Sequence, residues 1–286
     1  MGLKKLNVPL PNGLTVYVEH QITNPELETI ILINGALSTT TSFNHTVKFL
    51  KGRFNTLCFD LPYSGQSKPL NSQNVIITKD DEVEILCYLI NFFNPDYLIS
   101  ISWGGVAALL ALAQKRSSVK RAIIGSFSPF LNPAMLDYIS AARDFIIAGD
   151  NSKAARLLND TVGKFLPRMV RLYNYRYLSR LPEQEMQQVS FHIEQILALQ
   201  PGRYLQKLQH IETEVMFING ELDEYTSAAD VKFVAPYLKH ASFATVAGAG
   251  HFLDLEGRAA QIATRKLIFD YFDPAANEGF ETVQAM

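Results

Sequence analysis

Four short, nearly continuous apolar runs recur along the first half of the chain: TIILING (29–35), FNTLCFDLP (54–62), DYLISIS (96–102) and VKRAIIGSF (119–127). Runs of this length without alternation fit parallel strands covered on both faces. Between them, TSFNHTVKFLKG, KDDEVEILCYLINFF and GGVAALLALAQKR repeat their apolar positions at helical spacing. The second of these begins after Thr78 with acidic residues in its first turn, as a helix start should. Ahead of the first run, KLNVP, the turn LPNG and the alternating LTVYVEH predict a hairpin. Strand alternating with helix predicts an α/β sheet.

The rhythm then breaks. From the SPFLNP turn to about His210 there is helical pattern without strands. It resumes with the strand TEVMFING (213–220), a helix AADVKFVAPYLK, the strand ASFATVAG and a final helix over 255–272. A helical insertion within a parallel sheet predicts a cap. The expected division is therefore a first part of the core at 1–128, a cap or lid at 129–211, a second part of the core at 212–274, and a frayed, flexible tail at 275–286.

Composition narrows the class. The 286 residues are 48% hydrophobic and 19% charged, which is globular rather than disordered. A net charge of −2 argues against nucleic acid as a partner of the whole chain. The two cysteines, Cys58 and Cys87, lie in apolar surroundings and read as buried thiols in a reducing compartment. MGLKKLNVPL breaks off before any signal-peptide core, and Leu6 stands where a myristoylation signal wants Ser or Thr. The uncharged stretch 97–113 is interrupted by Gly104-Gly105 and lacks anchors at both ends, so no stable membrane insertion is expected. These features together predict a cytoplasmic protein. No residue cluster suggests a metal, nucleotide or flavin site.

That uncharged stretch holds the first candidate chemistry. Two adjacent glycines are poorly placed inside a helix, where each costs about 1 kcal/mol relative to Ala. The stretch therefore reads as a strand and a helix joined at a sharp turn, with Ser102 at the turn. Ser100-Ile101-Ser102-Trp103-Gly104 approximates the G-x-S-x-G nucleophile elbow of α/β-hydrolases, with Ser100 in place of the first glycine. Such enzymes place the acid after a later strand and the histidine after the last one. FINGELDEY puts Asp223 just past an apolar run, and VAGAGHFLDLE puts His251 in a small-residue loop past another. Ser102 would attack, His251 would take and return its proton, and Asp223 would orient the imidazole. Glu221 and Glu224 compete for the acid role, and Asp223 is preferred for its spacing from Gly220. The oxyanion hole would take one N–H from Trp103 and one from the loop NGALSTTTSF, at Ala36.

Along nearly the whole chain, about residues 14–272, NGALSTTTSF, FDLPYSGQSKP, TKDDEVEIL, SWGG, NPAMLDYI, TVGKFLP, FHIEQILAL, INGELDEYT and GHFLDLE resemble one branch of the α/β-hydrolase superfamily. That branch holds the synthase of 3-(3-hydroxyalkanoyloxy)alkanoic acids, the lipid half of rhamnolipids, and the similar 3-hydroxyacyl transferase or thioesterase that feeds polyhydroxyalkanoate synthesis. Asn34 replaces the usual His of the wider superfamily's His-Gly pair, and DLPYSGQS lacks its usual Arg and first Gly. Both departures belong to this branch's own pattern. The resemblance implies a mostly parallel eight-stranded sheet flanked by helices, with the cap inserted after strand 6, and a triad at Ser102, Asp223 and His251. It also implies an (R)-3-hydroxyacyl thioester as donor, carried on acyl carrier protein or coenzyme A, with no tightly bound cofactor. A 3-hydroxyacyl acceptor would give the dimeric lipid, coenzyme A a transacylation, and water the free acid; the dimeric lipid is the first expectation.

Over 153–180 the cap carries Lys153, Arg156, Lys164, Arg168, Arg171, Arg176 and Arg180 against Asp160 alone. In a chain of slightly negative charge, this cluster could guide an acidic carrier protein or the phosphates of coenzyme A, with Arg156, Lys164, Arg168 and Arg171 as candidates. A solvated helical face with no partner reads equally well. A general serine esterase or thioesterase is the alternative enzyme, and would be indifferent to the 3-hydroxyl. Epoxide hydrolase or dehalogenase chemistry needs an Asp where Ser102 stands, and a binding-only protein would have a broken triad.

Overall fold

The computed structural model describes residues 2–72, 76–114 and 117–273. The tail expected at 275–286 lies outside the described residues, as does the end of the helix expected to reach Arg116. One eight-stranded sheet runs through the described chain. Its strands are β1 (Gly2–Pro9), β2 (Thr15–Ile22), β3 (Thr29–Ile33), β4 (Asn55–Phe59), β5 (Tyr97–Ile101), β6 (Arg121–Gly125), β7 (Glu214–Gly220) and β8 (Ala241–Val246). Their order across the sheet is β1-β2-β4-β3-β5-β6-β7-β8. The first hairpin pairs antiparallel within itself and onto β4, and every later pairing is parallel.

The parallel strands are apolar on both faces because both are covered. Ile31, Leu57, Leu98, Ile124 and Phe217 pack with helices α2 (Lys79–Phe93) and α3 (Gly104–Leu112). Their neighbours Ile30, Leu32, Ile99 and Ile123 face the other way, onto α1 (Asn44–Leu50) and α9 (Arg258–Phe272) with Phe269 and Phe272. Period-two alternation between two buried faces yields a continuous apolar run, which is why those segments carry no polar stripe. Helix α3 is buried on nearly every side, so it too has no polar face.

Between β6 and β7 come five helices: α4 (Pro133–Ile147), α5 (Asn151–Asp160), α6 (Arg168–Leu178), α7 (Glu183–Leu197) and α8 (Pro201–Leu205). Helices α4 to α7 keep small apolar clusters of their own, Ile139 and Ala142 against Ile193, and Ala155 against Leu178 and Leu181, while Tyr204 and Leu205 of α8 join the core. Three expected helices differ in detail. The segment expected as one helix after the first strand run opens with a 3-10 turn, Thr40–Phe43, before α1. The stretch around Pro236 is 3-10 over Asp230–Tyr237, since proline has no N–H to continue an α-helix. The last helix starts at Arg258 rather than Leu255, because residues 252–257 form a turn whose Glu256 carboxylate points back to the preceding loop.

The carboxyl ends of β3, β5, β7 and β8 open on one edge of the sheet, the edge on which open α/β sheets bind and react. Gly220 ends β7 pressed onto the loop after β8: a Cβ there would meet Gly250 O at 2.1 Å and Ala249 O at 2.4 Å. Both are backbone atoms and cannot swing aside. Gly220→Ala should therefore cost about 1–3 kcal/mol or more. Thermal unfolding followed by circular dichroism should show its midpoint falling by about 2–4 °C per kcal/mol, while Gly202→Ala, where a Cβ meets nothing within 4 Å, stays close to wild type.

Candidate active site

Ser102 follows the last residue of β5 and has φ +54°, the left-handed region that ordinary residues avoid. Its N–H donates to Gly125 O of the neighbouring strand at 2.8 Å, and Gly105 N–H donates to Ser102 O at 2.9 Å. The chain thus reverses from strand to helix within one residue. The two glycines after Trp103 make the reversal fit. A Cβ on Gly104 would stand 2.5 Å from Asn34 O, and one on Gly105 would stand 2.7 Å from the Phe127 ring. Gly35 approaches from the loop after β3, where a Cβ would come 3.3 Å from Ser102 Cβ.

The structure brings the three residues proposed from the sequence together, although they come from three loops. His251 Nε2 lies 3.0 Å from Ser102 Oγ, and His251 Nδ1 lies 2.8 Å from Asp223 Oδ2. Asp223 and His251 are buried, and Ser102 is half-buried. Asp223 Oδ1 accepts N–H bonds from Tyr225 (3.0 Å) and Thr226 (3.1 Å), and Oδ2 accepts the Thr226 hydroxyl at 2.5 Å. Burial alone would raise the Asp223 carboxyl, but His251 and the Thr226 donors outweigh it and hold it below the usual range. The carboxylate therefore stays ionised at neutral pH beside Nδ1, which leaves Nε2 free to accept from Ser102 Oγ. The neighbouring acids are engaged elsewhere: Glu221 Oε2 accepts Gly248 N–H at 2.8 Å, and Glu224 takes Lys164.

Ala36 and Trp103 flank the serine on the two loops that meet at Gly35 and Gly104. Among the described residues, no protein acceptor takes the N–H of either. The helices between β6 and β7 reach this edge through the loop between α5 and α6. Phe165 lies so close to the histidine loop that a Cβ on Gly250 would meet its ring at 2.5 Å. Beside it, Lys164 Nζ bonds Glu224 Oε1 at 2.7 Å.

The basic residues of the cap do not form one cluster of equals. Lys164 has an acidic partner, and Arg156 lies over the Tyr175 ring at 5.7 Å on exposed α5. Arg171 is half-buried, with its Nε unpartnered in the protein, whereas Arg168 and Arg176 stand on the solvent face of α6. Met169, Leu172, Tyr173 and Tyr177 share that face, each more than a third exposed. Among the described residues, Arg168, Arg171 and Arg176 have no acidic partner.

Two supports of the site were not foreseen. Glu256, 2% exposed, accepts Gly250 N–H on Oε2 at 2.6 Å and Phe252 N–H on Oε1 at 2.9 Å, so one buried carboxylate straddles His251. Ser126, itself at φ +50°, donates its hydroxyl to His251 O at 2.5 Å. Neither has a spacing that marks it in the sequence, because each works through backbone groups of another loop.

The profile of the alpha/beta hydrolase fold family matches residues 28–257. The chain is 43% identical over 247 residues to an (R)-3-hydroxydecanoyl-ACP:CoA transacylase of Pseudomonas aeruginosa, covering 86% of this chain and 82% of that protein. It is 42% identical over 263 residues to a protein of the same description from Pseudomonas putida, covering 92% and 89%. Among solved structures, an alpha/beta hydrolase enzyme from a Medee basin deep-sea metagenome library superposes with a TM-score of 0.76 at 16% identity, over 98% of this chain and 100% of that one.

Glu256→Gln puts an amide N–H where the carboxylate now accepts a backbone N–H. Leaving such a buried donor unmet costs about 1–3 kcal/mol. The expected outcome is a lower unfolding midpoint together with a fall of about tenfold in ester hydrolysis at nearly unchanged KM, read by steady-state kinetics on a p-nitrophenyl ester.

Proposed function

This chain belongs to the alpha/beta hydrolase fold family, and we propose that within it the protein is a serine acyltransferase that moves an (R)-3-hydroxyacyl group from an acyl carrier protein thioester to coenzyme A. The observation that carries the proposal is the identity of more than 40% to transacylases of that description along more than four-fifths of the chain. These relatives support transfer to coenzyme A over condensation to a 3-(3-hydroxyalkanoyloxy)alkanoic acid. The contacts of Ser102, His251 and Asp223 support the chemistry.

In the proposed reaction, Ser102 Oγ attacks the thioester carbonyl as His251 Nε2 takes its proton. The negative charge that develops on the carbonyl oxygen meets the N–H groups of Trp103 and Ala36; one such donor is worth about 3–4 kcal/mol of barrier. The C–S bond then breaks, the carrier thiolate takes the proton from His251, and the acyl group stays on Ser102 as an ester. The thiol of coenzyme A gives its proton to the same Nε2 and attacks that ester; as the ester C–O bond breaks, Nε2 returns the proton to Ser102 Oγ and the new thioester leaves. Asp223 holds the imidazole in the useful tautomer throughout and stabilises its cationic form. Water competes for the acyl-serine, so residues 129–211 act in this reading as a cap over the site, with Phe165 against the histidine loop limiting access.

The solvent face of α6 is the proposed seat of the carrier protein. Its unpaired Arg168 and Arg176 offer charge, and Met169, Leu172 and Tyr173 offer apolar contact. Arg171 contributes from the flank, whereas Arg156 and the already paired Lys164 contribute less.

Mass spectrometry of products from an (R)-3-hydroxydecanoyl carrier protein with coenzyme A tests the reading. Wild type should form the coenzyme A thioester, and Ser102→Ala should lower that rate by about four to six orders of magnitude. A dimeric hydroxy-fatty ester as the main product would restore the condensing reaction, and no turnover of any 3-hydroxyacyl thioester would remove the substrate. Arg168→Glu with Arg176→Glu should raise KM for the carrier-protein donor about tenfold with kcat unchanged, and should flatten its dependence on salt.

A further inference from the structure

A buried pair of charges lies next to the proposed nucleophile, and the reaction as written has no use for it. Glu82, in the first turn of α2, is 4% exposed. Its Oε2 pairs with Nζ of Lys79, the first residue of the helix. Its Oε1 accepts the indole N–H of Trp103 at 3.3 Å. Lys79 Nζ stands 3.7 Å from the centre of the Trp103 ring and reaches Trp103 O at 3.5 Å. The residue after Ser102 is therefore gripped at its indole nitrogen, its ring face and its carbonyl by Glu82 and Lys79.

The cap closes the same assembly. The side-chain amide of Gln188 on α7 accepts from Ile77 N–H at 2.8 Å and donates to Ile77 O at 2.7 Å, which ties α7 to the segment leading into α2. One turn on, His192 packs its ring 5.2 Å from that of Trp103 and 5.5 Å from that of Tyr63. Its Nε2 lies 3.2 Å from Glu82 Oε1 and 2.8 Å from Gln188 Nε2. Burial alone would raise the Glu82 carboxyl, but Lys79 and His192 pull it down to about 2, so it is charged at every working pH.

Stability does not account for this arrangement. Buried ion pairs are commonly no better than well-packed apolar residues of the same volume, since desolvation offsets the attraction. Geometry does account for it. Trp103 sits between Ser102, held at φ +54°, and Gly104, packed against Asn34 O, and the direction of the Trp103 N–H follows from how this residue is held. A donor misplaced by a fraction of an ångström loses much of its effect on a developing charge.

We propose that Glu82 is a positioning residue for the reaction: with Lys79 as counter-ion it anchors Trp103, so that the Trp103 N–H stays aimed at the carbonyl oxygen of the substrate. The proposal rests on the reading of Ser102 as nucleophile and of Trp103 as oxyanion donor. It concerns any acyl substrate, whatever the carrier or acceptor.

The test is the rate constant for covalent labelling of Ser102 by a decyl fluorophosphonate, whose phosphoryl oxygen occupies the place of the carbonyl oxygen. Binding of decanoate, which lacks a reacting centre, and the unfolding midpoint are measured alongside. Glu82→Gln should slow labelling about 10- to 100-fold with decanoate binding unchanged. Trp103→Phe, which keeps the ring but loses the indole N–H, should slow it comparably, and the double variant should be no slower than the slower single one. If Glu82→Gln leaves Lys79 unpaired and the protein fails to fold, Lys79→Met with Glu82→Leu replaces both charges by apolar groups; it should unfold no earlier than wild type and still label slowly. Labelling at the wild-type rate in the folded Glu82 variants, losses that add to that of Trp103→Phe, or losses matched by weaker decanoate binding would overturn the proposal. A wild type that is not labelled at Ser102 removes the nucleophile reading and this inference with it, whereas labelled wild type with unaffected variants removes the inference alone.

Discussion

The left-handed turn at Ser102 is the constraint around which the rest of this site is arranged. A non-glycine residue at φ +54° stores about 1–3 kcal/mol of strain, which persists only where neighbours leave the chain no relaxed alternative. Here the Gly125 carbonyl on β6 accepts the Ser102 N–H, and the Asn34 carbonyl after β3 and the Phe127 ring after β6 stand too close for a side chain at residues 104 and 105. The strained turn places the Ser102 hydroxyl just beyond the strand end, 3.0 Å from His251 Nε2. Two consecutive glycines in an otherwise unbroken apolar segment follow from that requirement.

Buried carboxylates hold the loops around this turn. Asp60 accepts Thr40 N–H and Gln66 N–H, joining the loop after β4 to the one after β3. Asp223 gathers the backbone of its own turn and the imidazole, Glu256 the backbone on either side of His251, and Glu82 the residue after Ser102. A carboxylate suits the task because two oxygens can accept from two separate strands of backbone, and charge-assisted bonds are shorter and stronger than neutral ones. These loops send some apolar residues into the core, such as Phe43, Phe127, Ala249 and Leu253, and the polar anchors fix the backbone between them.

The helices between β6 and β7 relate differently to the core. Apart from α8, whose Tyr204 and Leu205 pack into the core, their apolar clusters are small and separate from the two that cover the sheet. Their links to the site edge combine polar pairs, Gln188 with Ile77, His192 with Glu82 and Lys164 with Glu224, with ring contacts, Phe165 on the histidine loop and His192 on Trp103. The outer face of α6 carries Arg168, Arg176, Met169, Leu172 and Tyr173 toward solvent.

The order of strands and helices, the interruption after β6 and the residues Ser102, Asp223 and His251 were legible in the sequence, because each is written in local chemistry. Continuous apolar runs mark strands buried on two faces, small residues mark tight turns, and a reactive side chain just past a strand end marks the edge where sheets react. The partition of the cations over 153–180 was not legible: whether Lys164 is paired depends on Glu224, sixty residues away. Nor were the roles of Glu256 and Glu82. A glutamate on the buried side of α2 does break the apolar pattern of that helix, but its partners Trp103 and His192 lie on two other elements and meet it only when the sheet, α3 and α7 are assembled. Short-range periodicity determines which elements form and where they end; which acid faces which donor is decided by packing between elements, since a buried charge takes its meaning from whatever the fold sets within about 4 Å of it.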